Sequence, residues 1–125
     1  MIFFGEFFYN TEWFPNITAM VDSGAVYSTF GPETAKHIGL NYKSGKEMKF
    51  KFGDGTERNG YFNELLVQIG KYSITTSVVF SDELGLSYNL LGRESVFKHF
   101  KVCFDEKNDI ITFEPFSNLN GRTLP

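Results

Sequence analysis

Cysteine is almost absent from this chain. Cys103 is the only one, so no disulfide can form within the chain, and a lone thiol fits a reducing compartment. Histidine is nearly as scarce: His37 and His99 stand far apart, and neither a paired Cys nor a His-x-x-x-His spacing accompanies them. That excludes the usual zinc patterns, and no metal or other cofactor is expected. A Cys–His nucleophilic pair is left open by counting alone. Cys103, however, alternates with Val102 and Phe104 in an expected strand, which favours a structural thiol. There is no basic cluster behind the formal net charge of −3, so neither nucleic acid nor an anionic membrane surface is expected as a partner. No apolar run is long enough to span a bilayer. The opening Met1–Glu6 lacks the basic start and long apolar core of a signal peptide, so the expected location is the cytoplasm. Repeats, low-complexity tracts and linkers are also missing, and one domain over residues 1–125 is expected, with a core at about 13–114 and terminal extensions available for contacts between subunits.

What the chain has in excess is aromatic residues. Fifteen Phe, six Tyr and one Trp among 125 residues favour strands and large buried contacts, including contacts between subunits. Apolar residues at 42% and charged residues at 22% are the balance of a folded globular protein. Short apolar runs are cut by turn residues at intervals of roughly 8–12 positions, as in a sheet-rich domain. Strands are expected over Gly5–Tyr9, Trp13–Val21, Glu47–Phe52, Gly60–Ile69, Tyr72–Phe80, Lys101–Asp105 and Asp109–Glu114. Phe50 and Phe52 alternate with Lys49 and Lys51 before Asp54-Gly55, which marks a hairpin, and Gly70-Lys71 marks another. Gly53-Asp54-Gly55 lacks the third Gly of a dinucleotide-binding loop and is read as a turn. Two stretches depart from the strand pattern. Pro32–Ile38 starts on Pro, carries Glu33 early and Lys36 late, and stops at Gly39, which predicts a short helix. Glu94–Phe100 spaces Val96, Phe97 and Phe100 as a second short helix would. The fold class is all-β with one or two short helices.

The chemistry-bearing candidate is Asp22-Ser23-Gly24, directly after the apolar strand Ile17–Val21. Gly24 permits a tight turn there, and the carboxylate would project from a rigid strand end. Alone, the triplet is common turn composition, and a solvated Asp is the simpler reading. A second element changes the weighting. About seventy residues downstream stands Asn89-Leu90-Leu91-Gly92-Arg93-Glu94-Ser95-Val96-Phe97. Asp-Ser-Gly-Ala early and Leu-Leu-Gly-Arg before a short helix late resemble the retropepsin-like (retroviral-type) aspartic peptidases, particularly their small prokaryotic single-domain members. The similarity runs in order from about Trp13 to Glu114.

The resemblance implies a retropepsin-like acid-protease half-barrel and assigns roles. Asp22 would be the catalytic acid. Ser23 would hydrogen-bond across the dyad to the other subunit, Gly24 would admit water and backbone, and Ala25 would keep the floor narrow. Leu90 and Leu91 with Gly92 would thread beneath the catalytic turn, and the Arg93 guanidinium would anchor neighbouring segments. Phe52, Gly53, Asp54, Gly55 and Thr56 would form the flap over an extended peptide. Ser28 keeps the family's hydroxyl. Val26 stands where many members have a polar or acidic residue.

A lone carboxylate is a poor general base for amide hydrolysis. Two about 3 Å apart cannot both ionise cheaply, so the pair holds one proton and supplies both a base and an acid. The chain has one Asp-Ser-Gly triplet, so the second carboxylate has to come from another copy. The expected function is therefore metal-free aspartic endopeptidase activity in a homodimer acting on an extended peptide or protein substrate. The alternative is a non-catalytic dimerisation or peptide-binding module that keeps the peptidase fold.

Overall fold

A computed structural model describes residues 2–51, 55–83 and 89–116. Its strands are β1 (Ile2–Tyr9), β2 (Glu12–Val21), β3 (Thr29–Phe30), β4 (Lys46–Lys51), β5 (Glu57–Ile69), β6 (Tyr72–Phe80), β7 (Leu90–Leu91), β8 (Phe100–Asp105) and β9 (Ile110–Pro115). One helix, α1 (Pro32–Ile38), a 3-10 turn at Tyr42–Ser44 and a wide helical turn at Arg93–Phe97 complete the described elements. The all-β class expected from the sequence is the class the chain adopts.

Tight hairpins join the long strands. The β1–β2 turn is Asn10-Thr11, both at positive φ, as a two-residue turn that follows the strand twist requires. Gly70 at φ 59° opens the two-residue turn between β5 and β6, where Ile69 pairs with Tyr72. A bulge interrupts β1–β2 between Gly5 and Phe7, and there Asn16 takes φ 62°, a conformation Asn tolerates better than most residues.

The sheet runs β1-β2-β7-β3-β6-β5-β4, and β1 also pairs with β5, so the first six strands close on themselves. Closure is possible because β5 is long. Its first half pairs with β4 and its last residues pair with β1 along the same edge, while β6 pairs along the other. Phe7, Phe30 and Phe80 fill the interior, Phe7 meeting Phe30 edge-on at 5.0 Å and Phe30 lying 5.8 Å from Phe80. Helix α1 seals one side with Ala35 and Ile38. It ends where Gly39, at φ 77°, lets the Leu40 N–H reach back to the Ala35 carbonyl at 2.9 Å.

Two elements were not expected from periodicity. Strands β3 and β7 have two residues each, and β7 lies between β2, with which it is parallel, and β3, with which it is antiparallel. The second helix expected over residues 94–100 begins at Arg93 and ends at Phe97, because Phe100 is taken into β8 opposite Pro115. Hairpin β8–β9 forms a separate two-stranded sheet. Phe100, Val102, Ile111 and Phe113 pack on the core, whereas Phe104, Ile110 and Phe116 are exposed. Among the described residues no helix is long and apolar enough to cross a membrane.

Candidate active site

Strand β2 ends at Val21, opposite Leu91 of β7, and the Asp22 N–H still donates to the Leu91 carbonyl at 3.0 Å. Asp22 therefore sits one residue past a buried parallel ladder, held by backbone and not by a free loop. The turn then closes tightly. The Gly24 N–H donates to Asp22 Oδ1 at 2.8 Å, and the Ala25 N–H donates to the Asp22 carbonyl at 3.2 Å. A Cβ on residue 24 would lie 3.2 Å from Asp22 Oδ1, a close approach at the oxygen that the turn aims.

The turn is docked onto the start of the wide helical turn. The Arg93 N–H donates to the Ala25 carbonyl at 2.9 Å and the Glu94 N–H donates to the Val26 carbonyl at 2.7 Å. Gly92 makes this approach possible, since a Cβ there would stand 2.6 Å from the Tyr27 carbonyl carbon and 2.8 Å from the Ala25 oxygen. Its N–H donates to Ser28 Oγ at 2.9 Å. Ser28 is fully buried, and its Oγ also accepts from the Ser95 hydroxyl, while its own N–H donates to Ser95 Oγ at 3.2 Å. Thr76 of β6 donates to the Ser95 carbonyl at 3.0 Å. These bonds satisfy the buried hydroxyls and join the region of the Asp22 turn to β6. On the opposite flank the Asn89 amide donates to the Thr18 carbonyl and to Thr34 Oγ1, and its oxygen accepts from the Gly31 N–H.

The structure thus brings Asp22, Gly24, Ala25, Leu91 and Gly92 together. Ser23 is adjacent and exposed, and its hydroxyl has no partner among the described residues. Arg93 docks through its backbone; its side chain is exposed, and the guanidinium has no hydrogen-bond or ion-pair partner among the described residues. Phe52, Gly53 and Asp54 of the expected flap lie outside the described residues. Gly55 and Thr56 follow them into β5, Gly55 at φ 84°. Cys103 is half-buried on β8, and His37 packs edge-on against Phe14 at 5.7 Å.

Asp22 opens into a cleft of about 550 Å³. Its floor includes Ala25, Val26 and Leu90, and its far wall is β4, through Met48, Lys49, Phe50 and Lys51. Tyr27 links the two sides, its ring meeting Phe50 at 5.4 Å and Phe62 at 5.2 Å. Gly60 leaves room for this cluster, because a Cβ there would come within 2.7 Å of the Phe50 ring.

Sequence reasoning missed Ser95, Thr76, Asn89 and the Tyr27–Phe50–Phe62 cluster as parts of this framework. A buried Ser on a helical turn carries no pattern that separates it from an exposed one. The cluster joins residues that periodicity treats one strand at a time.

Residues 15–95 match the sequence profile of the aspartyl protease family. Among curated proteins none matches the chain. Among solved structures, a retropepsin-like aspartic protease from Rickettsia conorii is similar, with 25% identity, a TM-score of 0.63 and coverage of 89% of each chain. The retroviral protease-like domain of Ddi1 from Leishmania major shares the fold at 19% identity and a TM-score of 0.60, over 99% of this chain and 94% of that one. With a profile that spans most of the strand ladder and the Asp22 turn, on a retropepsin-like fold, the chain belongs to the aspartyl protease family.

Proposed function

We propose that this protein is an aspartic endopeptidase whose site is completed by a second copy of the same chain. The observation that carries the reading is Asp22 itself. Its carboxylate is aimed by the Gly24 N–H from a rigid strand end into a mainly apolar cleft, and the chain holds no second Asp-Ser/Thr-Gly unit. In a twofold assembly two Asp22 carboxylates share one proton. One oxygen takes a proton from water as that water attacks the scissile carbonyl, and the other acid donates its proton to the carbonyl oxygen. The tetrahedral adduct collapses as the amine leaves with a proton, giving a carboxyl and an amino terminus. No acyl-enzyme is formed.

The exposed Ser23 hydroxyl is free to brace the partner's turn, and Arg93 to reach beyond its own chain. Strand β4, which lines the cleft, would take an extended peptide as an added strand; the flap expected over residues 52–56 lies in part, at Phe52, Gly53 and Asp54, outside the described residues. For the contact between copies, Phe104, Ile110 and Phe116 offer apolar surface on and beside a two-stranded sheet, an element that is marginal when left alone. The C-terminal extension expected to join that contact lies, beyond Phe116, outside the described residues.

The test is Asp22→Asn in the full chain. Cleavage of apolar-centred peptides at mildly acidic pH should fall by on the order of a thousandfold or more, with an unchanged circular dichroism spectrum. Cleavage that survives the substitution sinks the mechanism. A wild-type chain that binds such peptides and never cleaves them is instead a non-catalytic binding module.

A further inference from the structure

The cleft carries a charge pattern opposite to that of the chain. The protein has a formal net charge of −3, yet the charged residues lining the cleft are Asp22 and two cations, Lys49 and Lys51. Both lysines are exposed on β4, on either side of Phe50. Among the described residues neither has an ion-pair partner. Three other lysines are paired: Lys98 lies 2.6 Å from Glu94, and Lys43 and Lys101 lie 3.9 Å from Asp82 and Glu114. The acid closest to them on the same strand, Glu47, accepts a hydrogen bond from the Tyr61 hydroxyl at 2.8 Å. Glu57 stands opposite Lys51 across the ladder but does not line the cleft.

Two lysines against one acid, Asp22, give the lining of a mainly apolar cleft a positive formal charge, which a bound anion would offset. A lysine is a compact, mobile point charge that a carboxylate side chain can meet. We propose that the cleft selects peptides with acidic side chains beside an apolar centre, with Lys49 and Lys51 as the residues that set this preference. The inference rests on the endopeptidase reading for its substrate class. An exposed charge pair changes affinity by roughly two- to threefold, so the two together should give about three- to tenfold at low salt. The effect should shrink as the screening length falls from about 10 Å at 0.1 M salt to about 3 Å at 1 M.

The experiment uses the full chain carrying Asp22→Asn, so that peptides bind without being cut. In fluorescein-labelled peptides with an apolar centre, a single Glu is walked through otherwise neutral positions, each with a Gln counterpart, and binding is followed by anisotropy. At one or more positions the Glu peptide should bind about three- to tenfold tighter at low salt, and the ratio should fall to about one after adding Lys49→Gln and Lys51→Gln. Equal binding of Glu and Gln peptides at every position overturns the proposal. So does a preference that survives both lysine substitutions, or no binding at all. Wild-type cleavage of the same peptides separates the two readings. A charge preference in binding with no cleavage by the wild type removes the endopeptidase reading alone. Cleavage with equal kcat/KM for Glu and Gln peptides, together with equal binding, removes the charge preference alone.

Discussion

A methyl group on residue 92 would lie 2.6 Å from the Tyr27 carbonyl carbon and 2.7 Å from its oxygen, which are backbone atoms that cannot swing aside. Gly92→Ala must therefore push the Asp22–Tyr27 segment off the Arg93 and Glu94 amides. We expect a loss of about 1–3 kcal/mol in urea unfolding, and a fall in peptidase activity larger than the unfolded fraction accounts for. Ser28 and Ser95 make a complementary case, since each satisfies the other in a site closed to water. Ser28→Ala or Ser95→Ala should each cost about 1–3 kcal/mol, and the double substitution should cost less than their sum, as a double-mutant cycle in urea would reveal. The sequence made half of this pair visible. Ser28 stands at a place where the family resemblance calls for a hydroxyl, whereas Ser95 is one polar residue among several in a short helical turn, and only packing decides which of them is buried.

The turn of hairpin β8–β9 holds a titratable contact. The Asn108 side-chain amide donates to one Asp105 carboxylate oxygen at 2.9 Å and the Asn108 backbone N–H to the other at 3.1 Å. Those bonds, the side-chain one first, hold the Asp105 carboxyl below its ordinary value of 3.8. Because the folded value is lowered, the stabilisation is present above the unfolded value and is lost as pH falls through the folded one. Protection of the Asn108 amide against hydrogen exchange should therefore decline as the solution is acidified below about pH 3.8, and Asp105→Asn should weaken it at neutral pH already. At this scale the long strands were legible because alternation and turn chemistry act within a few residues: Gly70-Lys71 predicted its hairpin, and Pro32 with Gly39 bracketed α1. Strand β3 was not, and β7 was expected through the resemblance alone, since two residues cannot show a period of two.

For the assembled molecule the prediction is concentration dependence. If Asp22 is half a site, specific activity should fall on dilution as the sedimenting species shifts from dimer to monomer. Phe104→Glu with Ile110→Lys should move that midpoint upward in concentration while leaving the far-ultraviolet spectrum unchanged. Activity that stays constant per chain through the dissociation range would sink the shared dyad.

What the sequence determined by itself was local in origin: an all-β chain from alternation and aromatics, a short helix from its ends, and one acid at a strand end beside Gly24. The resemblance carried by Leu90-Leu91-Gly92-Arg93 then pointed to that acid as catalytic. The tertiary structure decided what depends on distant pairing. It inserted β7 between β2 and β3, closed the barrel through β1 and β5, and buried Ser95 against Ser28. It also brought Lys49 and Lys51 to the wall of the cleft that Asp22 opens into. None of these could be read along the chain, because each joins residues whose neighbourhood is created by the sheet and is absent from the sequence around them.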